Sequence, residues 1–109
     1  MNYYERVASS MGGRESLQSF YKLYFVPGMG HGPNNGMSNP DANPPLPSTG
    51  QIFRLMTDWV ENGIEPEGVV VTSSSDASPA KSQPICPYPK KATYDGISDS
   101  FVASSYKCS

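Results

Sequence analysis

Phe20-Tyr21-Lys22-Leu23-Tyr24-Phe25-Val26-Pro27-Gly28-Met29-Gly30-His31 is the stretch on which the reading of the chain turns. Residues 20–26 are apolar or aromatic except for Lys22. Aromatic and β-branched side chains suit a pleated surface, so the run is expected to be a strand covered on both faces. Pro27 ends it, because proline offers no N–H to the next ladder bond. Gly28 and Gly30 allow a sharp turn, with φ > 0 open to either. The only histidine of the chain follows. A covered strand that runs into a glycine turn and presents one histidine is how open α/β sheets place a functional side chain at their carboxyl edge. A loop histidine without chemistry is the plainer alternative.

Upstream, residues 2–11 read as a helix with Asn2 as N-cap and Glu5 closing a capping box. Tyr4, Val7, Ala8 and Met11 form its apolar face, and Gly12 and Gly13 stop it. Residues 14–19 form a polar connector with room for one more helical turn. Downstream, Pro33, Pro40, Pro44, Pro45 and Pro47 alternate with glycines and asparagines, a turn and polyproline II composition. Loops this long are usually functional or disordered. Its start beside His31 suggests the rim of a site, while beyond Asn35 a solvated excursion is an equal alternative. Ser48 and Gln51 then open a second helix, with Ile52, Leu55, Met56, Trp59 and Val60 as its stripe. Gly63 and Pro66 close it. Trp59 reads as core and Asp58 as solvated. Residues 68–72 are a short β-branched strand, and residues 73–83 read as a linker.

Composition narrows the class. The chain has 109 residues, about one domain. A net charge of −2 gives no electrostatic reason to expect nucleic acid or an anionic membrane as partner. No apolar run approaches the roughly 18 residues of a membrane span, and the first residues lack the basic and apolar regions of a signal peptide. Eleven prolines and ten glycines cluster in the loop and the tail. Two strands and two helices are too few to surround a parallel strand, so the chain reads as a piece of something larger. Residues 84–109 are proline-punctuated and hold both cysteines, Cys86 and Cys108. A tail with so little core suits a disulfide staple; two unrelated free thiols are the alternative. Their spacing and the single histidine do not make a zinc site.

Several segments together resemble the carboxyl-terminal part of the tannase and feruloyl esterase family. They are Tyr3-Tyr4-Glu5-Arg6-Val7 with Met11-Gly12-Gly13, then Phe20-Tyr21-Lys22-Leu23 through Val26-Pro27-Gly28-Met29-Gly30-His31. Asp58-Trp59-Val60-Glu61-Asn62-Gly63 and Cys86-Pro87-Tyr88-Pro89-Lys90 follow in the family's order. The resemblance implies an α/β class and a partial α/β-hydrolase fold, the last strands and helices of a larger sheet, with an irregular cysteine-containing tail. Residues 1–83 would belong to the hydrolase domain and residues 84–109 to a disulfide-stapled tail.

By that resemblance the activity is hydrolysis of phenolic acid esters, feruloyl or galloyl, by a serine, histidine and aspartate triad. His31 matches the triad histidine. The serine lies far upstream in the family and the aspartate shortly before the pair matched by Tyr3 and Tyr4, so this chain supplies only the histidine and is expected to be inactive alone. No serine sits in a G-x-S-x-G elbow. Among Asp41, Asp58, Asp76, Asp95 and Asp99, none has a spacing that marks it as the partner of His31. The chain needs no cofactor of its own, and the family's calcium belongs to a lid domain that these residues do not match. The partners implied are a small phenolic ester and the amino-terminal part of the hydrolase, in a secreted or periplasmic protein. In many members a cysteine follows the histidine and bonds to one preceding the serine; Gly32 stands there in this chain. The competing reading is a secreted, non-catalytic binding or structural module.

Overall fold

The computed structural model describes residues 2–32 and 36–109. It is a mixed helical and stranded structure. Helix α1, Asn2–Ser10, and the short α2, Arg14–Gln18, precede the central segment. Helix α3, Thr49–Asn62, and strand β1, Val69–Thr72, follow the proline-rich loop. Three further strands complete the chain: β2, Ser82–Ile85, β3, Ala92–Tyr94, and β4, Tyr106–Cys108. The strands form two antiparallel hairpins, β1 with β2 and β3 with β4.

Residues 20–26 correct the expectation of a strand. Among the described residues, Tyr24 alone of the segment is bridged, antiparallel to Pro87, and no ladder forms along it. The physical reason is the shortage of neighbours: a ladder needs a partner of comparable length, and this chain offers one bridge on one edge. The two-faced covering is nonetheless visible. Leu23 packs with Tyr88 against Tyr4, Ala8 and Leu17 of the first two helices. Tyr24 and Val26 pack on the opposite side, with Leu55, against Val69, Val71 and Ile85. Alternate side chains therefore enter two separate cores, as the period of two in extended backbone requires. Phe20 and Phe25 stay exposed.

The helices follow their local signals, with differences at the caps and in what the apolar stripe covers. Helix α1 already includes Asn2, and Glu5 bonds Arg14 rather than reaching back to a cap, with Oε1 accepting from Nε at 3.1 Å. Helix α3 is capped as the sequence implies, Ser48 Oγ accepting from Gln51 N at 3.1 Å and Gly63 adopting φ 66°. The amide of the Gln51 side chain donates instead to Val70 O at 2.7 Å, tying the first turn of α3 to β1. Val60, assigned to the buried stripe, is exposed.

The tail is more ordered than its composition implies. Strand β2 begins inside the presumed linker and holds Pro84 opposite Val70. Strands β3 and β4 pair Ala92 with Cys108. Cys86 and Cys108 form a disulfide, with Cα atoms 5.6 Å apart across a sequence separation of 22. It lies against the start of β1, where a Cβ on Gly68 would meet Cys108 Sγ at 2.9 Å. Beyond Asn35 the proline loop is exposed over most of residues 36–42, as a solvated excursion would be, but its end is packed down: Pro45 and Pro47 are buried, and Leu46 bridges Thr72.

Candidate active site

The turn after Val26 is built from backbone. Met29 N donates to Val26 O at 3.3 Å, and Gly28 takes φ 75°, a conformation that side chains other than glycine's rarely tolerate. A Cβ on Gly28 would also meet Pro44 Cγ at 2.8 Å, so glycine lets the proline loop close down on the turn. Met29 is half-buried and lines an apolar groove of about 290 Å³ with Ile52, Met56 and Trp59 of α3. Two residues on, His31 is exposed. Its imidazole is thus presented at the end of the segment, where an incoming group could reach it. The following residues 33–35, with Pro33 of the expected rim, lie outside the described residues.

Behind the turn, the segment is clamped by charge. Lys22 is the one ionic side chain in the apolar run, and only 5% of it is exposed. Its ammonium lies 2.8 Å from Glu65 Oε1, 3.7 Å from Glu67 Oε1 and 5.8 Å from the centroid of the Trp59 ring. Tyr24 OH donates to Pro66 O at 2.9 Å, and burial, followed by the neighbouring Glu67 and Glu65 charges, pushes its phenol up to about 12. Lys90 reaches Glu67 Oε2 at 3.5 Å. The loop after α3 is therefore fastened to the segment and to the tail. In the sequence Lys22 is the exception in an apolar run. The signal was present: a lone cation in a buried run requires a partner.

On the opposite face, Tyr88 stacks edge-on with Tyr4 and Phe25, and Arg14 lies over its ring. The Arg14 hydrogen bond, and then that of Tyr88, hold the Glu5 carboxyl below its ordinary range.

None of the five aspartates is brought to His31. Asp41 Oδ1 accepts from Ser78 N, Asp58 Oδ1 from the Asn62 amide, and Asp99 Oδ1 from Phe101 N. Asp95 accepts from Ile97 N and from Ser98, whose hydroxyl bond chiefly lowers its carboxyl pKa. Asp76 sits in a turn where its N–H donates to Ser74 Oγ. Among the described residues, His31 has no hydrogen bond or ion pair, and no group of three metal-binding side chains occurs. No helix of the described residues is long and apolar enough to cross a membrane.

Comparison with known proteins places the chain in an esterase family. The chain belongs to the tannase and feruloyl esterase family, whose sequence profile matches residues 1–109. It is 33% identical over 101 residues to an uncharacterized esterase of Xanthomonas campestris, covering 84% of this chain and 18% of that protein. It is 30% identical over 105 residues to the tannase of Aspergillus oryzae, covering 90% and 17%. The crystal structure of feruloyl esterase B from Aspergillus oryzae superposes with a TM-score of 0.71 at 26% identity, over 99% of this chain and 23% of that one. The chain thus spans about a fifth of the length of these relatives.

Proposed function

We propose that this chain is the carboxyl-terminal part of a serine carboxylesterase of α/β-hydrolase fold that acts on phenolic acid esters, and that His31 is its general base. The observation that carries the reading is the segment of residues 20–26, packed into one core on each face, which runs through a glycine turn to the exposed imidazole. Residues 1–83 supply the hydrolase portion and residues 84–109 the disulfide-stapled tail. The His31 imidazole takes the proton of a serine hydroxyl as that oxygen attacks the ester carbonyl, then returns a proton to the departing alcohol. A carboxylate on the other ring nitrogen holds the ring in the required tautomer. Serine and carboxylate both come from the remainder of the protein, in keeping with the other engagements of the aspartates here.

The substrate class follows the printed names of the relatives, tannase and feruloyl esterase. The Cys86–Cys108 disulfide supports an oxidising compartment, hence a secreted or periplasmic protein. Calcium, if the intact protein holds it, belongs outside these residues. Sequencing the DNA upstream of the Met1 codon tests the reading. It predicts an open frame with a G-x-S-x-G-like serine turn and an aspartate shortly before Tyr3; stop codons there would instead favour a self-standing, non-catalytic module.

A further inference from the structure

The tail and the segment of residues 20–26 share a second groove, of about 800 Å³. Phe25 and Pro27 line it from just ahead of the glycine turn, and Tyr88, Lys90, Lys91 and Tyr106 line it from the tail. Its frame is fixed by hydrogen bonds. Tyr88 N donates to Leu23 O at 2.7 Å, and Tyr88 O accepts from Gln18 Nε2 at 2.6 Å. Lys91 N donates to Ser109 O at 2.9 Å and Lys91 O accepts from Ser109 N at 3.0 Å, one step beyond the pairing of Ala92 with Cys108. Tyr106 OH donates to Ser100 O at 2.7 Å. A preformed groove of apolar and aromatic side chains with a few polar groups is the usual form of a small-molecule site. Its fixed frame spares a ligand the cost of ordering it.

Charge decides what the groove can take. Its lining includes two lysines and, among the described residues, no carboxylate. Lys90 is engaged, its ammonium 3.5 Å from Glu67 Oε2. Lys91 is not: it is exposed, and among the described residues its side chain has no ion pair or hydrogen bond. Aromatic walls beside a free ammonium match an anion carried on a flat ring. A neutral ring leaves the ammonium without a charged partner, and a bare anion leaves the walls uncovered.

Resting on the esterase reading above, we propose that this groove is a binding site for an aromatic carboxylate, the class of acid that hydrolysis of a phenolic ester releases. The ring packs on Phe25, Tyr88 and Tyr106, and the carboxylate accepts hydrogen bonds from the Lys91 ammonium. Such an acid is ionised near neutral pH, whereas its ester carries no charge there. The groove therefore holds product in preference to substrate.

Calorimetric titration of the intact protein with ferulate, with the neutral coniferyl alcohol and with acetate tests this. Ferulate should bind, and the other two should bind about tenfold or more weakly. Lys91→Glu should weaken ferulate by at least as much, the worth of one charge-assisted hydrogen bond, while Lys91→Arg should keep the affinity. Lys91 is exposed, so both variants should fold, as circular dichroism verifies, and their kcat for methyl ferulate should match the parent's. Absence of ferulate binding, affinity indifferent to Lys91→Glu, or coniferyl alcohol or acetate binding as tightly as ferulate overturns the proposal. Binding is read without turnover, so the two readings fail separately. A protein that binds ferulate through Lys91 yet hydrolyses no ester sustains the site and removes the esterase reading; an active esterase whose ferulate affinity ignores Lys91 removes this proposal alone.

Discussion

Removing Glu65 and Glu67 together should destabilise the chain far more than removing the lysine they serve. The Lys22 side chain is 5% exposed, and its ammonium lies 2.8 Å from Glu65 and 3.7 Å from Glu67. At 2.8 Å the attraction is roughly 6 kcal/mol for an effective dielectric of 20 and about 1.5 kcal/mol for bulk water. Glu65 is 47% exposed, so the lower figure is the better guide, and Glu65→Gln should cost about 1–2 kcal/mol. With both glutamates changed to glutamine, a nearly buried cation keeps only Trp59, and the loss should reach about 3 kcal/mol, the lower end for breaking a buried pair. Lys22→Met removes the charge and its desolvation together, filling the groove with an apolar chain, and should stay within about 1 kcal/mol of the parent. Urea unfolding with the disulfide intact, followed by the fluorescence of the single tryptophan, Trp59, measures the parent, these three variants and the double glutamine change on the Lys22→Met background. A double-glutamine effect that persists undiminished on the Lys22→Met background would falsify the clasp, for the glutamates would then act through something other than Lys22.

Other consequences are equally direct. Tyr24 titrates near 12 in the folded chain against about 10 when unfolded, so the folded form retains a proton that the unfolded form loses. Its contribution is whole below pH 10 and fades as pH rises toward 12; Tyr24→Phe should flatten stability over that window in an alkaline melting series, at a cost of about 1 kcal/mol near neutrality for the bond to Pro66 O. Replacing Cys86 and Cys108 by serine frees a loop closed over 22 residues of separation and should lower stability by roughly 3 kcal/mol in the chain-entropy model, while the non-reduced parent should weigh two hydrogens less than its reduced form. Gly28→Ala combines φ 75° with a 2.8 Å approach to Pro44, so about 1–3 kcal/mol should be lost, and the Leu46 amide, the one N–H among residues 44–47, should exchange faster as the loop lifts off the turn.

How much of this was legible in the sequence depended on where the partners of each residue lie. Helix α3 was readable because its determinants are local: a serine cap, a repeating stripe and a left-handed glycine. The stripe did not reveal which side chains are covered: Leu55 packs against β1 and β2, while Val60 is exposed. The aromatic run was legible as something packed on both faces, yet it forms no ladder, since hydrogen bonds need a neighbour that composition cannot supply. The β1–β2 hairpin was missed because Pro84 and a serine-rich approach disguise β2; proline is admitted there in a two-stranded sheet, which has only edge strands. Strands β3 and β4 are three residues each, too short for periodicity, and a disulfide beside their register holds them. At the site, the glycine turn and His31 could be read directly. The closure of Pro44 on Gly28 and the identity of the partners of Lys22 could not, because both join residues more than fifteen positions apart.

The central claim is that His31 serves as the general base of an esterase most of which lies outside these residues. The most direct measurement is the hydrolysis of methyl ferulate and methyl gallate by the intact protein and its His31→Gln variant, each with circular dichroism to verify the fold. Glutamine keeps a polar side chain of similar reach but accepts no proton from serine. The account predicts a fall in kcat of about 10⁴-fold or more with KM little changed, as when a member of a catalytic triad is lost. A folded variant that retains kcat within tenfold of the parent would contradict it.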